Sequence, residues 1–181
     1  MSGSEHTERL FFALWPGREL AERVCSLGRE IGVSGRRVPT ANLHITLAFL
    51  GDIDTQRLEE LIAVGNRLSR EPFTLTLDRV GHWRRPGITW LGPSQTPQAA
   101  TALHDNLQAE LASNGFPTSE RPFRPHVTLA RKSRPPPAVR IEPLVWPVTR
   151  LVLVASRRDA EGSQYVVRDE WALSPGTQAG V

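Results

Sequence analysis

One five-residue pattern occurs twice in this chain, and it restricts the fold more than any other feature of the sequence. It is His-Ile-Thr-Leu-Ala at residues 44–48 and His-Val-Thr-Leu-Ala at residues 126–130, 82 positions further along. Each copy is predicted to be a strand and follows a segment with helical periodicity, at about residues 18–34 and 97–113. The repetition indicates a duplication, in which two similar lobes face each other across a groove.

Hydrophobic periodicity and turn residues predict the other elements. Strands are expected over residues 9–15, 42–50, 73–80, 87–91, 125–131, 149–156 and 164–173, and helices over 18–32, 54–68 and 97–113. The strand at 42–50 should end at Gly51, and the strands at 73–80 and 87–91 should form a hairpin. Hairpins mixed with helices favour an α+β fold with antiparallel pairing. We expect one domain over residues 1–181, with its core at about 9–173 and one motif in each lobe.

The histidine and threonine of each copy are two positions apart on a predicted strand. His44 and Thr46 must then point to the same face, as must His126 and Thr128, while the apolar residues between them point to the other. Because an imidazole has a pKa of about 6.5, one of two in a groove can act as a neutral general base and the other as a protonated general acid. The pattern predicts that His44 and His126 catalyse in-line displacement at phosphorus.

Three further residues are predicted to bind the phosphate. Thr46 and Thr128 would donate hydrogen bonds to non-bridging oxygens, where charge must be stabilised. Arg131, which follows Thr128 by three residues, could add a charged fork of donors. The alternative is that both His-x-Thr pairs merely satisfy the polarity of a sheet, but two copies with the same neighbours argue against it.

The sequence gives no support for a metal or cofactor. Cys25 is the only cysteine, so the chain can form neither a thiolate zinc cage nor an intrachain disulfide, and its helical neighbours favour burial over a nucleophilic role. There is no His-Glu-x-x-His, no phosphate-binding Gly-x-x-x-x-Gly-Lys loop and no Gly-x-Ser-x-Gly elbow. Metal catalysis, ATP use and acyl transfer are all unsupported, and we expect no metal and no cofactor.

The remaining histidines and the tryptophans are expected to lie outside the site. His6 falls in a polar tail, His82 at a strand end and His104 on the third helix. Tryptophans could stack bases, but in strands they belong more often to the core. We therefore assign no site role to Trp83, Trp90, Trp146 and Trp171.

Nearly all the basic residues are arginine, 21 of 22, with Lys132 the exception. Arginine pairs at 36–37, 84–85 and 157–158 invite a nucleic-acid interpretation, although scattered arginine is more often a solvated surface. The N-terminus lacks the features of a secretory signal, and no apolar run approaches the roughly 20 residues of a bilayer span. We expect a cytoplasmic monomer with no membrane partner.

Longer segments around the motifs resemble a known family. They are Arg-Leu-Phe-Phe-Ala-Leu-Trp-Pro at 9–16, the segment 38–51 from Val-Pro through Asn-Leu-His to Leu-Gly, and Phe-Arg-Pro-His-Val-Thr-Leu-Ala-Arg at 123–131. On these segments the chain resembles the bacterial and archaeal RNA 2',3'-cyclic phosphodiesterases, also called 2'-5' RNA ligases, of the two-histidine (2H) phosphoesterase superfamily. The resemblance extends from about Arg9 to Leu173.

This resemblance implies a bilobal α+β fold with two pseudo-symmetric antiparallel sheets, helices on the outside and a central groove. It implies metal-independent hydrolysis of 2',3'-cyclic phosphates at RNA ends, tRNA fragments among them, to 2'-phosphates, and a reverse, ATP-independent 2'-5' ligation. By the same resemblance His44 is the proton donor and His126 the proton acceptor, with Thr46, Thr128 and Arg131 on the phosphate.

Two other functions are compatible with the same residues. The first is a 2H phosphoesterase that acts on small cyclic phosphates, such as nucleoside 2',3'-cyclic phosphates or an ADP-ribose cyclic phosphate. The second is a non-catalytic module that binds nucleotides or RNA ends. Two intact motifs argue against the second function, because a pure binder has no need of two proton-transfer groups.

Overall fold

A computed structural model describes residues 7–69, 71–158 and 163–173. Its helices are α1 (Arg18–Glu30), α2 (Leu58–Arg67) and α3 (Gln98–Ser113), with short 3-10 turns at Thr40–Asn42 and Thr55–Arg57. Its strands are β1 (Thr7–Leu14), β2 (Arg36–Arg37), β3 (Ile45–Asp54), β4 (Phe73–Leu77), β5 (Arg79–Trp83), β6 (Ile88–Gly92), β7 (Val127–Arg131), β8 (Leu144–Val148), β9 (Arg150–Arg158) and β10 (Ser163–Ala172). None of these helices has the length and apolar character that a bilayer crossing requires.

The described strands form two antiparallel sheets, which confirms the predicted α+β class. The larger sheet has the order β10-β9-β1-β3-β7-β6-β5, with β2 beside β7, and the smaller one consists of β4 and β8. The two motif strands, β3 and β7, are neighbours that share one residue pair, Ile45 with Val127. The halves expected from the repeat are thus joined at their motifs into one large sheet.

Strand β1 shows how this sheet separates a core face from an open face. Leu10, Phe12 and Leu14 are buried in the main core together with residues of all three helices. Phe11 and Ala13 point to the other side, where they form a small second cluster with residues of β9. Because side chains alternate along a strand, this sequence of apolar residues at every position covers both faces. The helices cover one face, and the motif histidines lie on the other.

The expected strand over residues 73–80 is wrong, because the chain changes sheets at Asp78. β4 pairs with β8, while β5 forms the hairpin with β6. The Asp78 carboxylate accepts hydrogen bonds from the Ser94 amide at 2.6 Å and the Ser94 hydroxyl at 2.7 Å. The alternation of apolar residues that begins at Phe73 ends at Leu77, since Asp78 and Arg79 are both polar and Val80 falls on the opposite phase. The expected strand runs across this change of phase.

Strand β8 is absent from the predicted elements, and its Pro147 is the reason, since proline lacks the N–H that a central strand donates. Here β8 pairs only with β4, with Pro147 opposite Thr74. A strand with one neighbour has an unpaired side on which a missing N–H costs little. Proline therefore disfavours a central strand at this position but not the two-stranded sheet that is observed.

Strand β3 also runs further than predicted, through Gly51 to Asp54. The register against β1 moves from Leu10–Gly51 to Phe11–Phe49, so one residue is bulged, and Gly51 has a φ of +74°. Glycine adopts this left-handed conformation without steric cost, which allows pairing to continue. The glycine marks a bulge in the strand rather than its end.

Candidate active site

The two His-x-Thr pairs meet at the middle of the large sheet. His44 and His126 each stand one residue before their strands, and Thr46 and Thr128 lie within them. Because β3 and β7 pair through the residue that follows each histidine, residues 82 positions apart in the chain become neighbours in the sheet. The two copies of the motif therefore lie side by side in the structure.

Both imidazoles are oriented by the same local hydrogen bond. Nδ1 of His44 donates to the Asn42 carbonyl oxygen at 2.7 Å, and Nδ1 of His126 donates to the Arg124 carbonyl oxygen at 2.7 Å. A carbonyl can only accept, so each ring carries its proton on Nδ1 when neutral, and Nε2 is left as the base. The Thr46 hydroxyl donates to Nε2 of His44 at 3.1 Å. The two rings present equivalent nitrogens for proton transfer.

Aromatic side chains surround His44 on several sides. The Trp15 ring stacks on the imidazole, with centroids 5.3 Å apart and planes inclined by 6°. Phe11 lies at 5.0 Å, and Tyr165 approaches edge-on at 5.4 Å. These contacts keep most water away from the ring. Loss of hydration destabilises the charged imidazolium more than the neutral imidazole.

His126 has an aromatic environment of its own. Trp83 approaches its ring edge-on at 4.6 Å, and Trp90 lies at 6.4 Å. The expectation that these two tryptophans lie outside the site is wrong, because pairing of β5 with β6 and of β6 with β7 brings both beside the histidine. Trp146 and Trp171 are instead buried in the main core, as expected.

The pKa values of both imidazoles are depressed. Burial is the largest cause of the lowering of the His44 pKa to about 4, the charges of Arg131 and His126 lower it further, and the hydrogen bond to Asn42 acts in the opposite direction. Burial and Arg131 also lower the pKa of His126, while its bond to Arg124 opposes them. Both rings are therefore neutral at pH 7 in the free groove, and a bound anion would favour their protonated forms.

Two adjoining cavities lie on the open face of the sheet beside His44. The first, of about 540 Å³, is lined by Thr46, and the second, of about 400 Å³, by Thr128. His44 and Arg131 line both, so four of the five predicted site residues share one groove. His126 is not among the lining residues, although its charge acts on the pKa of His44.

The other candidate residues lie elsewhere. His82 is bonded through Nε2 to the Ser133 carbonyl oxygen at 3.1 Å, and buried His104 stacks on Phe123 with centroids 4.4 Å apart. Cys25 packs half-buried against the core from α1. Neither these histidines nor the cysteine line the two cavities, and the expectation for His6 lies outside the described residues.

A metal site is not evident in the described part of the chain. No three His, Cys, Asp or Glu side chains within residues 7–69, 71–158 and 163–173 are grouped so that they could hold an ion. The groove instead collects the His44 imidazole, two hydroxyls and a guanidinium, and the charge of the His126 imidazole acts on His44. These groups can transfer protons and bind an anion.

The depressed pKa of His44 predicts a specific loss of stability in acid. The imidazole has a pKa of about 4 when folded and 6.5 when unfolded, so below pH 6.5 the unfolded state binds more protons. The contribution of neutral His44 to the free energy of unfolding is complete above pH 6.5 and is lost as the pH falls towards 4. Between pH 7.5 and pH 5 this loss is about 2 kcal/mol. Urea denaturation measures the free energy of unfolding of the wild type and of His44→Gln at pH 7.5 and pH 5. The fall between the two pH values should be smaller in His44→Gln by this amount. An identical fall in both proteins would contradict the pKa.

Comparison with known proteins gives consistent matches over nearly the whole chain. A family model described as the 2'-5' RNA ligase superfamily matches residues 21–160. The RNA 2',3'-cyclic phosphodiesterase of Escherichia coli (strain K12) is 34% identical over 174 residues, which cover 92% of this chain and 97% of the relative. The protein of the same name from Thermus thermophilus is 29% identical over 180 residues, which cover 91% and 90%.

Solved structures show the same fold. The crystal structure of E. coli LigT in complex with 3'-AMP matches with a TM-score of 0.83 and 35% sequence identity. The match covers 94% of this chain and 100% of the LigT chain. The structural similarity therefore extends over nearly the whole of both chains.

Proposed function

Because the chain belongs to the 2'-5' RNA ligase superfamily, we propose that it is an RNA 2',3'-cyclic phosphodiesterase, which hydrolyses the cyclic phosphate at an RNA end. The observation that carries this function is the matched pair of imidazoles on β3 and β7. Each donates its Nδ1 proton to the carbonyl two residues earlier at 2.7 Å, which leaves two Nε2 atoms for proton transfer. The curated relatives with this name support the same reaction.

The proposed reaction is an in-line displacement that moves two protons. Nε2 of His126 accepts a proton from a water molecule as its oxygen bonds to phosphorus. The bond between phosphorus and O3' breaks, and Nε2 of His44 protonates O3'. The products are a 2'-phosphate and a free 3'-hydroxyl, and no metal is needed. The assignment of donor and acceptor follows the family resemblance.

His44 must be protonated to act as the donor, whereas its pKa in the free groove is about 4. A bound phosphodiester anion would raise the pKa of His44, since a negative charge beside the imidazole favours its charged form. We therefore propose that substrate binding and proton uptake by His44 occur together. Once Nε2 is protonated it no longer accepts from the Thr46 hydroxyl, 3.1 Å away, which is then free to donate to a phosphate oxygen.

Thr46, Thr128 and Arg131 are proposed to hold the non-bridging oxygens. Thr46 and Thr128 stand at equivalent positions on neighbouring strands, and Arg131 lines both cavities. Arg131 makes no ion pair with the described acidic residues, so its donors are available to an anion. Charge that develops on these oxygens during displacement would be stabilised by donors already in position.

The same geometry accounts for the proposed ligation. If the 5'-hydroxyl of a second RNA replaces water on the His126 side, the displacement of O3' joins the two ends through a 2'-5' phosphodiester. The broken cyclic phosphate bond supplies the energy, so no ATP enters the reaction. The balance between the two reactions would follow from whether water or a 5'-hydroxyl occupies the site.

A small cyclic nucleotide is the second candidate substrate, because the similar E. coli LigT has been solved with 3'-AMP. Both substrates would present the same cyclic phosphate to the two histidines. The single-domain organisation over residues 1–181, the monomeric state and the cytoplasmic location stay predictions from the sequence.

The test is incubation of the protein, in excess EDTA, with a short RNA that ends in a 2',3'-cyclic phosphate. We expect complete conversion to the 2'-phosphate, with no 3'-phosphate, and a rate within about twofold of that without EDTA, because protons rather than a metal stabilise the displacement. Chromatography that separates the two phosphate isomers measures the outcome. Loss of activity in EDTA, restored by an added divalent ion, would contradict the metal-free chemistry, and a 3'-phosphate product would contradict the leaving group.

A further inference from the structure

The groove continues beyond the phosphate-binding residues along the open face of the sheet. Arg9, Ser156 and Tyr165 lie opposite one another on β1, β9 and β10. Residues opposite one another in neighbouring strands project from the same face, and all three line the first cavity together with His44 and Thr46. One cavity therefore connects the reactive imidazole to a second polar row that contains an arginine.

Arg9 is held in place by an aromatic ring rather than by an acid. Its guanidinium lies over the Phe49 ring, 4.7 Å from the centroid. Asp52 is its partner across the β1–β3 ladder, yet these two described side chains form no ion pair. Stacking uses the face of the guanidinium and leaves its in-plane N–H donors unoccupied. Arg9 is thus a stacked cation on the groove, with no ion pair to a described acidic residue.

Arg36 places a further charge in the same cavity. It lies on β2 directly opposite Arg131 on β7, and it lines both cavities. Like charges directly opposite each other destabilise a sheet. Within residues 7–69, 71–158 and 163–173, neither arginine has an ion-pair partner or a side-chain hydrogen bond that would relieve this repulsion. An anion in the groove would relieve it.

The Arg9 row is too far from the motif threonines to share one phosphate group with them. Thr46 pairs with Ala13, and Arg9 precedes Ala13 by four residues on β1. At about 3.3 Å per residue, these rows are about 13 Å apart along the strand. With the rows this far apart, we assign a phosphate on Thr46 and an anion on Arg9 to different groups of the ligand.

We propose that Arg9 and Arg36 form a second anion subsite, which binds the phosphodiester that precedes the cyclic phosphate in an RNA chain. The proposal rests on the proposed function, since it names the substrate class of the same groove. A nucleoside 2',3'-cyclic phosphate has no such phosphodiester and leaves the subsite empty. The subsite makes the groove selective for an oligonucleotide end over a mononucleotide.

The experiment compares kcat/KM for adenosine 2',3'-cyclic phosphate with kcat/KM for the dinucleotide ApA that ends in the same cyclic phosphate. The wild-type protein should prefer the dinucleotide by at least about tenfold, and Arg9→Gln and Arg36→Gln should each lower this ratio by about five- to tenfold. On the dinucleotide, the slope of log kcat/KM against log salt should become less steep by about 0.7 for each arginine removed. The mononucleotide reaction of each variant reports whether its reactive groups are intact.

Arg23→Gln is the matched control, because Arg23 is an exposed arginine on α1, which packs on the opposite face of the sheet. It removes the same charge and should leave the ratio unchanged. A wild-type ratio near one, or equal losses on both substrates in Arg9→Gln and Arg36→Gln, would overturn the subsite while leaving the hydrolysis intact. Absence of turnover on both substrates in the wild type would overturn the proposed function itself.

Discussion

His44→Ala and His126→Ala should each lower kcat on an RNA 2',3'-cyclic phosphate by about 10³-fold or more. Each variant removes one of the two groups proposed to transfer a proton in the displacement, and general acid or base catalysis contributes about 10²–10⁴-fold. Because the two groups act in one transition state, the double variant should lose little more than either single variant. Single-turnover rates with end-labelled RNA measure the chemical step without interference from product release.

The control for this prediction is His82→Gln, which removes a histidine outside both motifs whose Nε2 is bonded to the Ser133 carbonyl oxygen, and it should keep turnover. Binding of the RNA to His44→Ala and His126→Ala should also persist, since Arg131 and the threonines remain. Activity in either variant within about tenfold of wild type would contradict the two-histidine mechanism. Wild-type protein that binds the RNA end and does not turn it over would favour the non-catalytic alternative.

Arg131→Ala should lower kcat/KM by about 10²–10³-fold, the effect of removing one preorganised donor from developing charge. It should also raise the pKa of both catalytic imidazoles, because the Arg131 charge lowers each of them in the free protein. NMR titration of the imidazole protons measures these pKa values directly. Together, kcat/KM and the imidazole pKa values show whether Arg131 acts as a charge in the groove. Loss of a purely structural residue would not raise the pKa of both histidines.

Arg131→Lys provides the matched comparison. It keeps the positive charge, so the imidazole pKa values should stay close to those of wild type. It loses the planar fork that binds two oxygens at once, so kcat/KM should recover only in part relative to Arg131→Ala. Full activity in Arg131→Ala, or unchanged imidazole pKa values, would remove Arg131 from the phosphate site.

Several elements are predictable because their signal is local. β1, α1 and α3 follow from apolar periodicity, and the observed helices end within a few residues of the expected positions. The polar residues Asp78 and Arg79 mark a change of phase in the apolar pattern. The pattern does not show that the chain changes sheets there, because β4 and β5 differ in the strands that they pair with, β8 and β6. Pairing partners are long-range information that a local pattern lacks.

The candidate site divides in the same way. The paired motifs and Arg131 can be found from the sequence, because the repeat is exact in its polar positions and Arg131 is near it in the chain. Trp15 and Tyr165 beside His44, and Trp83 beside His126, have no such signal. They come from different strands and are brought together only by the order of the sheet.

The groups available for chemistry can be read directly from the chain: two imidazoles, two hydroxyls and a guanidinium in duplicated segments with a preference for strands. Their proton affinities and the extent of the groove are set only by folding. A pKa near 4 for His44 depends on burial and on the charges of Arg131 and His126, and the position of Arg36 opposite Arg131 depends on β2 joining β7. Local preferences depend on neighbouring residues, whereas burial and electrostatic coupling depend on distances that exist only after the chain has folded.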